Sequence, residues 1–365
     1  MSELGGACDA CLARTWLLAR LSGHLEVERA RIWELLALGD ERLIKAVAGG
    51  QHAAVLAERN AFGPRQARTA RRRAQEARLE LICRCTDAYP EELRALEAPP
   101  HVIHVAGGMA RLRRFCAGDP VALVGARRAS GYGQEVARSV ARGLAVTGIT
   151  VLSGMATGVD ASAHRGALEG QGATLAVLPG PAERPYPVAN ASLYRKLVRD
   201  GVVIAEVGPG VPVRRWMFAA RNRLIAGLSR LIVVVQAAAG SGSLLTVEAA
   251  RRAGRPVAAV PGAVTSRLSD EPNRLLAEGA VLIRDAQDVL DALFGVGARH
   301  AADDLRDRPS PAGLALLAAV GEGVNTSAAL MAAQIAGDGC LAELAALEIS
   351  GHLRRGPGGR FSARP

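Results

Sequence analysis

The sequence predicts an α/β protein built on a parallel sheet, with a small helical domain before the sheet and a winged helix after it. Between residues 79 and 295, short apolar runs alternate with amphipathic stretches, as strands and helices do in βαβ units. The apolar runs have no polar face, which is typical of a sheet covered by helices on both sides. Residues before and after this region lack the alternation and have helical periodicity.

Residues 1–78 are predicted to form the helical domain. The segments "TWLLARLSG", "RARIWELLALGD" and "ERLIKAVAGG" are short, are punctuated by Gly and have no strand pattern. The region ends in a basic helix, "RQARTARRRAQEAR". Its arginines fit a solvated helix face slightly better than a nucleic-acid surface.

Six strands are predicted in the central domain, residues 79–295. They are "VALVG" (121–125), "TVLSG" (150–154), "TLAVLPG" (174–180), "VVIAEV" (202–207), "LIVVVQA" (231–237) and "PVAAVPG" (256–262). Amphipathic segments such as "GQEVARSVARGLAVTG" and "TVEAARRAG" separate them. Strands that alternate with helices in this way indicate a parallel sheet.

The C-terminal part divides into a linker and a second small domain. Residues 296–311 are charged, contain Gly and Pro and have no periodicity, which favours a linker. Residues 312–365 have the pattern of three short helices and a hairpin, "HLRRGPGGRFSA". This order favours a winged helix-turn-helix, a module that binds duplex DNA in many proteins and other proteins elsewhere.

The composition bounds the class of partner. Apolar residues make up 49% of the 365 residues, enough for a sizeable core. The net charge of +10 favours an anionic partner, although a high-GC genome that replaces Lys by Arg would give a similar balance. Aromatic residues are only 3%, so an extensive stacking surface is not expected.

The N-terminal segment and the length of the apolar runs predict the cellular compartment of the protein. The segment "MSELGGACDACLARTWLLARLSG" lacks the features of a secretory signal. No apolar run approaches the roughly 18 residues that span a bilayer. We therefore expect a cytoplasmic protein with no membrane partner.

The six cysteines are Cys8, Cys11, Cys83, Cys85, Cys116 and Cys340. Two closely spaced pairs, "CDAC" and "CRC", would together supply four ligands for a zinc ion. The second spacing is unusual, however, and no His lies close to either pair in sequence. In a reducing compartment free thiols are the better interpretation, so we predict neither a metal site nor a cofactor.

Four segments are predicted to meet at the carboxyl edge of the sheet, where ligands of parallel sheets bind and where helix N-termini point. They combine guanidinium groups with small, hydroxyl-bearing loops, and these groups bind phosphates. The candidate residues are Gly125, Arg127 and Arg128; Ser153, Gly154, Thr157 and Gly158; Arg221, Asn222 and Arg223; and Ser241, Gly242, Ser243 and Thr246. The sequence therefore predicts a phosphate-binding edge.

Signals for catalysis are weak. The chain has neither G-x-G-x-x-G nor G-x-x-x-x-G-K-[ST] at the strand ends. Asp160 and His164 have the spacing of an acid–base pair, but a local structural role for both is the favoured interpretation. Glu206 and Glu248 are further acidic candidates without an evident nucleophile or metal partner. We predict no catalytic residue.

Four motifs carry a family resemblance. The stretches "VALVGARRAS", "VLSGMATGVDASAH", "FAARNRLIAGLS" and "SGSLLTVEAA" resemble, in order and spacing, those of the DNA-processing protein A family (DprA, also called Smf). The resemblance implies an extended Rossmann-like domain that binds single-stranded DNA and forms a homodimer. It also implies a non-catalytic protein that helps to load the RecA recombinase during natural transformation.

The resemblance extends outside the motifs and has limits. Residues 1–78 are similar to the family's sterile-alpha-motif-like or helix-hairpin-helix-like domain, and the C-terminal module matches its winged helix more loosely. Three positions depart from the family pattern: Ala126 stands for a serine, Ala219 for a frequent proline and Gln236 for a common glutamate. None of these changes removes a guanidinium group.

Two alternatives remain open. A nucleotide hydrolase related to lysine-decarboxylase-like phosphoribohydrolases would use Glu248 and an arginine on the ribose. The spacing of "SGSLLTVE" is looser than that motif requires. A transcription regulator would act through the winged helix, and a preference for a specific duplex over single strands would favour it.

Overall fold

The apolar runs form one nine-stranded sheet in the structure, a computed structural model that describes residues 6–301 and 309–363. All six predicted strands are present, and three further strands, the first, the second and the last in chain order, were not predicted from the sequence. The strands are β1 Glu80–Cys83, β2 Val102–Ala106, β3 Val121–Val124, β4 Val151–Ser153, β5 Thr174–Val177, β6 Val202–Ala205, β7 Leu231–Val234, β8 Val257–Ala259 and β9 Val281–Leu282.

The strand order is β1-β2-β6-β5-β4-β3-β7-β8-β9. Strands β3 to β9 are parallel, whereas β2 pairs antiparallel with both β6 and β1. The chain moves outward from β3 through β4, β5 and β6, and then returns to place β7 on the other side of β3. The strand order therefore reverses between β3 and β7, and such a reversal opens a ligand-binding crevice at the carboxyl edge.

Among the described residues of the first unit, fifteen α-helices accompany the sheet. They are α1 Asp9–Arg20, α2 Ser22–Val27, α3 Ile32–Ala37, α4 Asp40–Val47, α5 His52–Asn60, α6 Pro64–Glu76, α7 Glu91–Arg94, α8 Met109–Cys116, α9 Gly131–Val146, α10 Val159–Glu169, α11 Ala191–Asp200, α12 Trp216–Leu228, α13 Leu244–Arg252, α14 Asp270–Ala277 and α15 Ala286–Phe294. Because most of the helices after β3 return the chain to a parallel strand, their N-termini lie at the carboxyl edge.

Helices cover both faces of the sheet, as the two-sided apolar runs predict. In β3, Val121 and Leu123 pack against α9, α10 and α15, while Ala122 and Val124 pack against α12 and α13. All four side chains are buried. The alternation follows from the two-residue period of a strand, and it holds β3 in the centre of the unit.

The N-terminal helices pack directly on the sheet domain. The chain divides into two compact units, Met1–Ala301 and Ala302–Pro365, and the helices before residue 78 lie in the first unit together with the sheet. The indole nitrogen of Trp33 donates to the carbonyl of Ala219, and that of Trp216 donates to the Ser22 hydroxyl. These contacts fix the start of α12, which also contributes to the crevice.

The second unit contains α16 Pro311–Gly321, α17 Ser327–Ala332 and α18 Cys340–Ile349, followed by an antiparallel pair, β10 Leu353–Arg355 and β11 Phe361–Ala363. Its core includes Leu316, Leu330, Leu344 and Phe361. Three helices and a hairpin thus follow in the predicted order, and the winged-helix assignment stays a prediction.

Part of the predicted linker, residues 302–308, lies outside the described residues. Among the helices that the structure describes, none is long and apolar enough to cross a bilayer.

Candidate functional site

A cleft of ≈ 670 Å³ opens at the carboxyl edge, above the reversal point between β3 and β7. All four predicted segments contribute to it, but the second does so through Ala156 and Asp160 and not through the four residues predicted there. The predicted residues that line it are Gly125, Arg127, Arg128, Arg221, Asn222, Ser241, Gly242, Ser243 and Thr246. Their convergence supports the predicted geometry, although their role remains a proposal.

Glycines let the loops at the edge approach one another. Gly158 has a φ of +78°, and a Cβ at this position would lie 2.2 Å from the carbonyl oxygen of Ala126. A Cβ on Gly154 would lie 1.4 Å from Nη1 of Arg221. Gly158 therefore joins the loops after β3 and β4, while Gly154 leaves room for the guanidinium group beneath the cleft.

Arg221 is the buried cation of the site. Its Nη1 donates to the carbonyl of Val177 at 3.2 Å, and its Nε has no hydrogen-bond partner in the part of the chain that the structure describes. Burial lowers the pKa of Arg221 to about 10, an effect that Asp160 opposes and Arg127 reinforces. The group therefore remains cationic at neutral pH.

Asp160 organises the loop after β4. Its Oδ2 accepts hydrogen bonds from the backbone N–H groups of Gly154 at 3.2 Å and Ala156 at 3.3 Å. Burial raises the pKa of Asp160, while the charge of Arg221 and these two N–H groups lower it. Its bonds to the backbone agree with the predicted structural role for this carboxylate.

His164, the second member of the suspected acid–base pair, is fully buried. Its Nδ1 lies 2.7 Å from the Thr174 hydroxyl. Burial lowers the pKa of His164 to about 3, and the charge of Arg221 acts in the same direction. A neutral, enclosed imidazole cannot exchange protons with a ligand in the cleft, which favours a structural role for His164.

Two aromatic rings and a further arginine that the sequence analysis missed also line the cleft. The guanidinium carbon of Arg127 lies 5.0 Å from the centroid of the Phe218 ring, and the Tyr186 and Phe218 rings meet edge-on at 5.5 Å. Arg215 is exposed beside them. One available signal was spacing, because Phe218 and Arg221 lie three residues apart and share a helix face.

The loop after β7 closes the other side of the cleft. The hydroxyls of Ser241 and Ser243 lie 2.8 Å apart, and the amide of Asn222 donates to the carbonyl of Gly242 at 3.4 Å. Thr246 is buried in the first turn of α13. The side chain of Asn222 therefore links α12 to this loop rather than pointing only towards a ligand.

Arg223 requires a correction, because it does not reach the cleft. Its two terminal nitrogens donate to the carboxylate oxygens of Glu206 at 2.9 and 2.7 Å, and its Nε donates to the carbonyl of Ala98. Consecutive helix residues are rotated by roughly 100°, so Arg221 and Arg223 face nearly opposite directions. The prediction that both bind successive phosphates is therefore wrong for Arg223.

Two other predicted residues support the loops instead of lining the cleft. The hydroxyl of Ser153 is buried and donates to the carbonyl of Leu123 at 2.7 Å. The hydroxyl of Thr157 donates to the carbonyl of Arg127 at 3.0 Å. Both hydroxyls are engaged in holding the loops after β3 and β4 together.

Gln236, one of the departures from the family pattern, has a structural role. Its Oε1 accepts from the backbone N–H of Ser130 at 3.0 Å, and its amide nitrogen donates to the Ser130 hydroxyl at 2.9 Å. Ser130 in turn caps the N-terminus of α9. The side chain thus fixes the helix that begins after the Arg127 loop.

The residues suited to a metal lie away from the cleft. Cys8, Cys11, Cys83 and Cys85 place their sulfur atoms within 4.8 Å of one another. From the sequence, the two pairs together are a possible zinc site and free thiols are the favoured interpretation. In the structure, residues 72 positions or more apart in sequence bring all four sulfur atoms into a single cluster.

The fold and the cleft together define a class, an extended Rossmann-like α/β protein with a cationic crevice at the carboxyl edge of its sheet. Residues 80–294 match the family described as DNA recombination-mediator protein A. The chain belongs to this family, whose members are named DprA or Smf. The resemblance drawn from the four motifs is thereby confirmed.

Curated relatives carry the same names. DNA processing protein DprA of Streptococcus pneumoniae is 39% identical over 204 residues, which cover 56% of this chain and 71% of that protein. Protein Smf of Escherichia coli is 36% identical over 218 residues, covering 59% of this chain and 57% of that protein. A Mycobacterium tuberculosis relative is 44% identical over 176 residues, which span only 45% of its length.

Two solved structures share the fold. The X-ray structure of DprA from Streptococcus pneumoniae has 30% identity and a TM-score of 0.62, covering 75% of this chain and 95% of that one. DNA processing protein A from Helicobacter pylori, whose structure concerns its single-stranded DNA binding mode, has 26% identity and a TM-score of 0.53. It covers 60% of this chain and 97% of that one.

Proposed function

We propose that this protein binds single-stranded DNA in the cleft and acts as a non-catalytic recombination mediator. The observation that carries the proposal is unneutralised charge. Arg127, Arg128, Arg215 and Arg221 line the cleft, and within residues 6–301 and 309–363 none of them has a carboxylate at ion-pair distance. Asp160 is the one carboxylate among the lining residues. Guanidinium groups bind phosphates through paired hydrogen bonds.

The arrangement suits a strand rather than an isolated phosphate. Exposed Arg127, Arg128 and Arg215 contact successive phosphates, and buried Arg221 supplies positive potential from below. The Phe218 and Tyr186 rings offer a face on which a base stacks. Phosphate contacts and stacking carry little sequence information, so binding is expected to be largely independent of sequence.

Salt dependence tests the site directly. Anisotropy with labelled oligo-dT at several salt concentrations gives a slope of log affinity against log salt of about −0.7 per phosphate contact. Arg127→Ala and Arg221→Ala should each weaken binding, and Arg127→Ala should reduce the slope by about 0.7. A duplex of equal length measures the preference for single strands.

The matched control is Arg199→Ala. This arginine is exposed, pairs with Asp200 and lies in the last turn of α11, at the opposite edge of the sheet. The substitution Arg199→Ala removes the same charge from the protein. It should leave both the affinity for oligo-dT and the slope of its salt dependence unchanged. Wild-type binding by both cleft variants at every salt concentration, or stronger binding of the duplex, would contradict the proposal.

We extend the proposal to the family's cellular role in the cytoplasm, namely loading RecA on single strands as a homodimer during natural transformation. The support is the membership in the recombination-mediator family. RecA filament formation on strands coated with single-strand-binding protein should speed up when this protein is added, and the speed should fall with Arg221→Ala. Sedimentation should give twice the mass of one chain.

The hydrolase alternative predicts a different result. It needs Glu248 beside a ribose in the cleft, but Glu248 does not line the cleft, lies exposed on α13 and accepts a hydrogen bond from Arg252 at 3.1 Å. Incubation with nucleoside monophosphates should release no free base. Release that is abolished by Glu248→Gln would establish the enzyme instead.

A further inference from the structure

Four cysteine side chains from two separate segments meet at one point of the first unit. Cys8 precedes α1 and Cys11 lies in its first turn, while Cys83 ends β1 and Cys85 follows two residues later. The four sulfur atoms lie within 4.8 Å of one another. Cys11 and Cys83 are buried, Cys8 is half-buried and Cys85 is exposed.

Local hydrogen bonds hold this arrangement. The backbone N–H of Cys8 donates to Sγ of Cys83 at 3.4 Å, and the sulfur atoms of Cys11 and Cys85 lie 3.6 Å apart. The backbone N–H and the hydroxyl of Thr86 both donate to the carbonyl of Cys83. The turn after β1 is thereby fixed with Cys83 and Cys85 on the same side as the start of α1.

The separations fit a metal better than disulfides. A tetrahedral zinc ion with Zn–S bonds of about 2.3 Å places its sulfur ligands roughly 3.8 Å apart. A disulfide requires about 2.05 Å, and all four cysteines are free. The Cys11–Cys85 separation of 3.6 Å is already close to a tetrahedral edge. Only a small contraction of the cluster is needed to enclose an ion.

The surroundings favour thiolates as ligands. Cys8 occupies the N-cap of α1, where the helix dipole stabilises negative charge. The N–H group aimed at Cys83 also stabilises an anionic sulfur. Four thiols that lie this close together without a disulfide are within reach of one shared metal ion.

We propose that Cys8, Cys11, Cys83 and Cys85 bind one Zn²⁺ in a structural tetrathiolate site that fastens α1 to the end of β1. Four protein ligands leave no open coordination position, which separates this site from catalytic zinc. The site would stabilise the attachment of the N-terminal helices to the edge of the sheet. Strands β2, β6, β5 and β4 stand between it and β3, so it is distinct from the cleft.

Metal analysis of the full chain tests the proposal. Protein purified under reducing conditions without chelator should contain one zinc ion per chain, as measured by inductively coupled plasma mass spectrometry. Cys11→Ser and Cys83→Ser should contain none. Cys116→Ser and Cys340→Ser are matched controls, because both thiols lie outside the cluster, and both should retain one zinc.

Cobalt substitution keeps the test valid if a core variant fails to fold. Wild-type chain stripped of zinc and loaded with Co²⁺ should develop the intense absorption of tetrahedral cobalt thiolates. Cys85→Ser, which changes an exposed side chain, should shift that spectrum and bind oligo-dT as wild type does. Three results would overturn the proposal. The reduced wild-type chain could take up neither metal, it could hold iron instead, or its four cysteines could form disulfides.

Discussion

Arg221 and Arg223 lie two residues apart on α12 and are equally buried, with 7% of each residue exposed, yet they face different environments. Arg223 makes a two-pronged ion pair with Glu206 and donates to two carbonyls. Arg221 donates to a single carbonyl and lies under the cleft. The comparison teaches that an arginine supports the fold where its charge is paired and is available to an anion where it is not.

The two faces of α12 therefore differ in what removal of the charge should do. Loss of one partner from a buried ion pair leaves the other charge without compensation. Loss of an unpaired buried cation removes a charge whose burial is itself unfavourable. The same substitution two residues apart should then affect stability in one case and DNA binding in the other.

The largest effect is expected for the paired arginine. Arg223→Ala should lower the free energy of unfolding by about 3–5 kcal/mol, because Glu206 remains buried and unpaired. Urea denaturation followed by circular dichroism measures it. Arg221→Ala is the matched variant and should destabilise the protein less, because Asp160 keeps hydrogen bonds from two backbone N–H groups. Equal destabilisation by both variants would show that the two faces do not differ.

The next effect concerns DNA affinity and uses Gly154. Arg221→Ala should weaken oligo-dT binding by about 1.5–3 kcal/mol, roughly 10- to 150-fold, as expected for the loss of a buried charge close to a phosphate. Gly154→Ala should cause part of this loss, because its Cβ would occupy the position of the guanidinium group.

A double-mutant cycle makes the steric explanation specific. In the Arg221→Ala background the guanidinium group is gone, so Gly154→Ala should have no further effect on affinity. Gly131→Ala is a suitable control, since a Cβ there meets no atom within 4 Å. Additive losses from Gly154→Ala and Arg221→Ala would exclude this contact as the cause.

The buried side chain of His164 should also make the stability of the protein depend on pH. The pKa of His164, lowered to about 3 chiefly by burial, lies below the ordinary value of about 6.5. Between these values the unfolded chain binds a proton that the folded chain excludes. Stability should therefore be complete above about pH 6.5 and fall as the pH decreases towards 3, by up to about 1.4 kcal/mol per pH unit.

His164→Gln keeps a polar group near Thr174 and removes this titration. The loss of stability between pH 7 and pH 5 should be smaller than in the wild type by up to about 2 kcal/mol. His300→Gln changes an exposed histidine and should leave the pH dependence as it is. A variant at position 164 with the wild-type pH dependence would count against a buried neutral imidazole.

The sequence predicted the parts of this molecule that depend on local periodicity. Apolar runs located the six central strands, and the rule that parallel strands expose ligand sites at their carboxyl ends brought Arg127, Arg221 and Ser241 to one cleft. Arg223 was misplaced because adjacency in a motif was given more weight than rotation around a helix. The helical periodicity could have been read from the sequence, but Glu206, the ion-pair partner of Arg223, lies 17 residues away.

Long-range contacts could not be predicted in the same way. The cysteine pairs are separated by about 70 residues, and only the packing of α1 on β1 brings them together. The low aromatic content suggested little stacking surface, but a count says nothing about position. Two of the few rings, Tyr186 and Phe218, lie in the cleft. Removal of one of these rings should have the smallest of the expected effects on DNA binding.

Phe218 lies one turn before Arg221 on the same face of α12, and its ring contacts the guanidinium group of Arg127. Phe218→Leu keeps apolar volume but removes the π surface. It should weaken oligo-dT binding by about 1 kcal/mol, at the lower end of the range for stacking. Because no charge is lost, the salt slope should stay at the wild-type value, unlike that of Arg127→Ala.

Phe115→Leu, near the end of α8 and not among the residues that line the cleft, controls for a general loss of packing and should not change affinity. An abasic oligonucleotide provides the complementary measurement, since it has phosphates but no bases to stack. Phe218→Leu and the wild type should bind it equally if the ring acts on bases. A reduced salt slope in Phe218→Leu would instead mean that the ring acts only by positioning the Arg127 guanidinium group on a phosphate.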